Sequence, residues 1–279
     1  MKLEELIKKS TIKLQKNNID DYSIKLKIII EYFFNIPINK IIVYMNKEVS
    51  SKENVEFEKI LQKVINGIPV QYITNKQEFM GLKFYVDKNV LIPQPDTEIL
   101  VEHVIEYCNN INYSLKILDL CTGSGAIAIS LAKYIKNANI YATDISENAI
   151  EIANKNAKIN KVGINFIKSD MFENIEEKDF DIIVSNPPYI KTSVISTLSN
   201  EVKNEPYIAL DGGKDGLKFY NIIYEKAEKY MNRNGIIFLE IGYDQKENIM
   251  NIFKKKYREV YCLKDLNNND RVIIVKGGK

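Results

Sequence analysis

From about residue 96 onward, apolar β-rich runs alternate with helical segments, and this alternation constrains the chain more than any other feature. The runs are Lys116–Leu120, Ile140–Thr143, Ile164–Ile167, Ile182–Val184 and Ile236–Leu239. Such runs have no solvent face, and the stretches between them are long enough for crossover helices. Together they predict an α/β fold with a mostly parallel sheet. The tail breaks the rhythm. Glu259–Leu263 and Arg271–Val275, joined through Asn267–Asp270, read as an antiparallel hairpin.

The first third has a different period. Leu3, Leu6, Ile7 and Leu14 share one helical face, with lysines and glutamates opposite. Asp21 is placed to cap a second helix through Ile28, Ile29, Ile30, Phe33 and Phe34, which must end before Pro37. Ser51 is placed to cap a third, carrying Phe57, Ile60, Leu61, Val64 and Ile65, with Gly67 and Pro69 as its stop. Three domains are expected: a small helical bundle over 1–75, a β-hairpin linker over 76–95 and a catalytic domain over 96–279. The linker strands are sought at Phe79, Leu82, Phe84, Val86 and Val90–Ile92.

Composition narrows the chemistry. Among 279 residues there is one His and no Trp, so any histidine relay has to run through His103. Cys108, Cys121 and Cys262 lack metal-ligand or redox spacing, so neither a metal site nor a disulfide is expected. Thirty-nine basic against thirty-seven acidic residues give +2, with only Arg233, Arg258 and Arg271 as arginines. That is too little cationic surface for a stable nucleic-acid partner. No apolar run is long enough to span a membrane. A cytoplasmic monomer is expected.

The loop Asp119-Leu120-Cys121-Thr122-Gly123-Ser124-Gly125 follows a predicted strand and opens a predicted helix. Its glycines permit a tight turn and close approach of backbone to ligand. Gly123-x-Gly125-x-x-Ala128 also fits a dinucleotide fingerprint. An acidic residue just before the loop suits S-adenosylmethionine better, because Asp119 would face a cationic amino-acid end rather than a pyrophosphate. Asp144, ending the next strand, is placed for the ribose hydroxyls. Asp170, Met171 and Phe172, after the third strand, are placed for adenine. Cys121 reads as a small residue tolerated near the cofactor.

Asn186-Pro187-Pro188-Tyr189 ends a buried strand. The prolines remove two N–H donors and stiffen the turn. The Asn186 side chain and the Pro187 carbonyl then supply two acceptors for a planar –NH2 group, with Tyr189 as an aromatic wall. Such a clamp holds the nitrogen towards a methyl donor, so aim supplies much of the catalysis. Adenine N6, cytosine N4 and glutamine N5 all present this target.

At this point the chain resembles the HemK/PrmC family of glutamine N5-methyltransferases, over nearly its whole length. The resemblance rests on Gly67-Ile68-Pro69-Val70-Gln71-Tyr72-Ile73, on Pro93-Gln94-Pro95-Asp96-Thr97-Glu98, on the glycine loop with Asp144, and on Asn186–Tyr189. It continues through Glu205-Pro206 and Ala209-Leu210-Asp211-Gly212-Gly213-x-Asp215-Gly216-Leu217. It implies a class I, Rossmann-like S-adenosylmethionine-dependent domain acting on the Gly-Gly-Gln glutamine of class I peptide chain release factors. By implication the bundle recognises the substrate protein, in a cytoplasm or an organelle matrix with bacterial-type translation. The implied cofactor residues are Asp119, Cys121, Thr122, Gly123, Ser124, Gly125, Asp144, Asp170, Met171 and Asn186. Substrate falls to Asn186, Pro187, Pro188 and Tyr189, with Asn186, Pro187 and Tyr189 catalytic. A sister group modifies a ribosomal-protein glutamine, but its interdomain stretch usually reads Val-Pro-Arg-Ser-Pro. Gln94 stands where the family often has Arg, and Cys121 where it often has Gly.

Overall fold

The computed structural model describes residues 1–109 and 111–278. It divides into two compact units. One comprises Met1–Asn75 with Ser199–Asn204, and the other Lys76–Leu198 with Glu205 onward.

In the first unit, α1 (Leu3–Lys16), α2 (Tyr22–Phe34) and α3 (Ser51–Ile65) are followed by a short α4 (Val70–Thr74). Leu3, Leu6 and Leu14 bury against Leu26, Ile29, Ile30, Phe57, Leu61 and Val64, so the expected stripes form one core. The caps differ from expectation. Asp21 takes a left-handed conformation, φ 52°, and its side chain caps nothing. The α3 cap is Ser50, one residue early, because Glu53 reciprocates there. Ser50 Oγ accepts from Glu53 N at 3.2 Å, and the Glu53 carboxylate accepts from Ser50 N at 2.8 Å. At the other end Gly67 turns left-handed, φ +84°. Gly67 N and Ile68 N then donate to the carbonyls of Val64 and Lys63 at 2.9 and 3.0 Å.

Ser199–Asn204, expected in the catalytic domain, groups with these helices instead. Lys25 Nζ pairs with Glu201 at 2.6 Å, and Asn204 Nδ2 donates to the Gly67 carbonyl at 3.1 Å.

The second unit opens with the hairpin β1 (Gln77–Phe79) and β2 (Leu82–Phe84). The stretch expected as a β-hairpin linker groups with this unit, and Val86 and Val90–Ile92 form no strand. Phe79 and Phe84 are buried edge to face, and Asn156 and Asn160 donate to the carbonyls of Tyr85 and Lys83. Ile92 N donates to the Glu205 carboxylate at 2.9 Å rather than to a neighbouring strand.

After α5 (Pro95–Cys108), the main sheet runs through β3 (Leu115–Leu120), β4 (Ala138–Asp144), β5 (Asn165–Lys168), β6 (Phe180–Ser185), β7 (Met231–Glu240), β8 (Tyr257–Lys264) and β9 (Asp270–Gly278). Its order is β5-β4-β3-β6-β7-β9-β8. β3 pairs in parallel with β4 and β6, and β9 lies antiparallel between β7 and β8. The helices α6 (Ala126–Tyr134) and α7 (Glu147–Asn160) are crossovers. The chain proceeds one way from β3 to β5 and the other way from β6 to β7. The order therefore reverses at β3/β6, where such sheets open a crevice at their carboxyl edge.

A Cβ at Gly67 would lie 2.8 Å from the Asn200 Cβ, on a backbone of φ +84°. Gly67→Ala should cost about 2–4 kcal/mol, read as a lowered urea midpoint. An unchanged midpoint would show that Ser199–Asn204 does not pack there.

Candidate functional site

The crevice is walled by four loops from the carboxyl ends of β3, β4, β5 and β6, by residues 89–91, and by Pro206, Ile208, Ala209, Lys218 and Phe219. Together with its open mouth it spans about 840 Å3.

The glycine loop turns sharply through Cys121 (φ +61°), Gly123 (+55°) and Gly125 (+82°). Its two glycines serve different ends. A Cβ on Gly123 would meet nothing within 4 Å, so this backbone borders open space. One on Gly125 would lie 2.9 Å from Ile129 Cδ1 and 3.1 Å from the Ala153 Cβ, so Gly125 lets α6 and α7 close together. Cys121 holds a left-handed conformation, which a glycine would adopt more readily than a residue with a Cβ. Its thiol lies 3.6 Å from Met171 Sδ, and burial pushes it well above its ordinary pKa, which suits a packing role.

Asp144, at the tip of β4, lines the crevice. Its Oδ2 accepts from Gly123 N and its Oδ1 from Ser146 N, both at 2.9 Å. Burial raises its pKa, opposed by those N–H groups. A carboxylate oxygen accepts more than one bond, so both remain able to take vicinal hydroxyls. Asp170 and Met171 also line the crevice. Met171 is left-handed, φ +50°, and Ser169 Oγ donates to its carbonyl at 3.0 Å. These features fit a ribose and adenine.

Five expected cofactor contacts do not line the crevice: Asp119, Thr122, Ser124, Gly125 and Phe172. Asp119 is fully buried beneath the loop, where Oδ2 accepts from Thr122 Oγ1 at 2.6 Å and Ala128 N at 3.3 Å. It braces the turn and does not line the crevice, because Thr122 folds back over it. Phe172 is likewise internal, stacked on Tyr230 at 4.8 Å. Thr122, Ser124 and Gly125 shape the loop from behind.

At the end of β6, Asn186 and Pro188 line the crevice, and Pro187 is buried. The Pro187 carbonyl takes no hydrogen bond from the described residues. The Tyr189 backbone is clamped. Gln245 Nε2 donates to its carbonyl at 3.0 Å, a Cβ at Gly212 would lie 2.7 Å from its Cα, and one at Gly216 would collide with its carbonyl oxygen. Burial pushes the Tyr189 phenol up to about 12, so it stays neutral. Sequence reading missed the rear support: Asn186 Nδ2 donates to Thr97 Oγ1 at 3.1 Å. It also missed Ile208, Lys218 and Phe219 as lining. Of that wall the sequence had marked Pro206 and Ala209, through the stretch Glu205-Pro206 and Ala209-Leu210-Asp211-Gly212-Gly213. His103, on α5, pairs with Glu106 at 3.5 Å away from the crevice. Among the described residues no metal-binding cluster occurs, and no helix is long and apolar enough to cross a membrane.

A sheet of this order, with a glycine loop and a ribose-type acid at its switch point, defines a class I, Rossmann-like methyltransferase. A Pyrococcus furiosus methyltransferase shares the fold, with TM-score 0.55 and 20% identity over 80% of this chain and all of that one. Family models for a PrmC N-terminal domain and a methyltransferase small domain match residues 5–74 and 94–204. An Eco57I restriction-modification methylase model matches 154–262. The release factor glutamine methyltransferase of Clostridium acetobutylicum is 40% identical over the full length of both chains. That of Thermodesulfovibrio yellowstonii is 41% identical over 88% of this chain and 89% of its own. This chain belongs to the release factor glutamine methyltransferase family.

Burial pushes Asp119 up to about 7. Between the ordinary carboxylate range and 7 the folded state binds more protons than the unfolded one, so this group lowers stability as pH rises through that window. Asp119→Asn should flatten that fall in urea titrations at pH 4–7. An unchanged pH slope would show that Asp119 ionises normally.

Proposed function

We propose that this protein transfers a methyl group from S-adenosylmethionine to the side-chain amide nitrogen of the Gly-Gly-Gln glutamine of class I peptide chain release factors. One observation carries the reading: Asn186, the amide clamp, and Asp144, the ribose acid, line the same crevice. Family membership supplies the partner.

The cofactor, when bound, supplies an electrophilic sulfonium methyl. Asp144 would take its ribose hydroxyls, while the Gly123 backbone lies close to it without a side chain between. Met171 would pack on its adenine, with Asp170 at the amino edge. Asn186 Oδ1 and the Pro187 carbonyl would accept the two hydrogens of the glutamine amide, fixing its nitrogen in line with the methyl. Pro188 and the clamped Tyr189 backbone keep these acceptors from yielding. Fixing the reacting atoms in this way accounts for a rate gain without a strong base. The helical unit would hold the release factor, with the enzyme acting as a monomer in a cytoplasm or organelle matrix.

Peptide mass spectrometry after incubation with cofactor and separate candidate substrates tests the reading. A one-methyl shift on the release-factor glutamine is expected. Methyl only on a large-subunit ribosomal protein would move the assignment to the sister group, and labelled adenine would move it to nucleic acid. Asn186→Ala should abolish transfer with cofactor affinity retained. Asp144→Ala should weaken calorimetric cofactor binding by about tenfold or more, as loss of a charge-assisted hydrogen bond does. Unchanged turnover in the first or unchanged affinity in the second would overturn that residue's role.

A further inference from the structure

Behind Asn186 lies a polar cluster drawn from three remote segments: buried Thr97 and half-exposed Asp96 on α5, buried Glu240 at the end of β7, and buried Arg271 on β9. Thr97 is 5% exposed and Glu240 2%. The Glu240 carboxyl faces both the Thr97 hydroxyl and the Asn186 amide, and each favours its ionised form. Its Oε2 accepts no direct hydrogen bond. Arg271 holds the far side, with Nη2 2.9 Å from Asp96 and 3.0 Å from Asp265.

The donor and acceptor inventory of this cluster is directional. An ionised carboxylate only accepts. The Thr97 hydroxyl has one proton, and turning it towards the neighbouring Glu240 carboxylate leaves its lone pairs for Asn186 Nδ2, which donates to Thr97 Oγ1 at 3.1 Å. The Asn186 nitrogen is thereby turned inward, and Oδ1 is left for the crevice. A flipped amide would set Oδ1 against a hydroxyl oxygen and a carboxylate, a buried clash of acceptors. It would also present –NH2 to the –NH2 of the substrate.

We infer that Glu240, acting with Thr97, is a positioning residue that fixes which end of the Asn186 amide meets the methyl-accepting nitrogen. The inference rests on the amide-clamp reading above. It gives the clamp a pH dependence. Burial pushes Glu240 up to about 7. Below that it carries a proton, becomes a donor itself, and no longer dictates the orientation of Asn186. Arg271, Asp96 and Tyr189 also face Glu240. Arg271 stays charged, and Tyr189 stays neutral because its own pKa is about 12. Asp119 titrates near the same pH but sits under the glycine loop, so its effect belongs to cofactor affinity.

Turnover of release factor under saturating cofactor provides the test. The wild type should lose kcat as pH falls through about 7. Thr97→Val should lower kcat by about 100-fold, with calorimetric cofactor affinity unchanged, and Thr97→Ser should restore most of it. Glu240→Gln should lower kcat and remove the acid limb. A wild type that methylates no release factor would defeat the functional reading itself. An active wild type whose Thr97→Val keeps full kcat, or whose Glu240→Gln keeps the acid limb, would overturn the positioning role alone. Should Glu240→Gln fail to fold, the Thr97 pair decides, since Val and Ser differ from Thr only in replacing the hydroxyl and in lacking the methyl.

Discussion

The parallel pairing of β3 with both β4 and β6 is the constraint on which the catalytic unit depends. Leu120 stands opposite Thr143 on one side and Ser185 on the other. The next residue on each strand therefore leaves the sheet at the same level, which brings Cys121, Asp144 and Asn186 to one edge. A slip of one residue in either ladder would turn the side chains to the other face. Ile117, Leu118, Ile182 and Ile183 are all fully buried, so a slip would also set side chains of the wrong shape into two closely packed faces. The site is thus assembled by the same packing that makes the sheet stable.

Turning four chain segments away from one edge within a few residues has a conformational cost. Non-glycine residues accept it twice beside the crevice, at Cys121 and Met171, each with positive φ. Such strain persists only where surroundings over-determine the backbone. Here the two side chains meet at 3.6 Å, and Ser169 holds the Met171 carbonyl. Packing against Met171 thus holds Cys121 in its left-handed turn.

The α/β alternation was legible because crossover helices and buried strands leave unlike periods in the chain. Cys121, Gly123, Asp144, Asn186 and Pro188 could be brought to the crevice by sequence because each is local and each follows a strand. Tyr189, expected as its aromatic wall, faces Glu240 and Arg271 and does not line it. What escaped was set by direction and by distance along the chain. Asp119 stands just before the loop, yet the Thr122 hydroxyl draws its carboxylate inward. Phe172 follows Met171 but turns into the core, where Tyr230 receives it. Thr97, Glu240 and Arg271 are far apart in sequence. They converge through the antiparallel register of β7 and β9, which sets Glu240 opposite Val272, and no short motif carries that signal. The Asp21 and Ser51 caps failed for a smaller reason, since capping depends on the backbone of the preceding residue as well as on the side chain.

The placement of Ser199–Asn204 has a consequence for how the protein is inherited. The chain passes between its two units at 75/76, again at 198/199 and again at 204/205. No single cut releases either one whole. The helical unit cannot be lost, gained or exchanged as a cassette without a compensating change more than a hundred residues downstream. A helical unit grafted from residues 1–75 alone would arrive lacking the Ser199–Asn204 strip of its own surface.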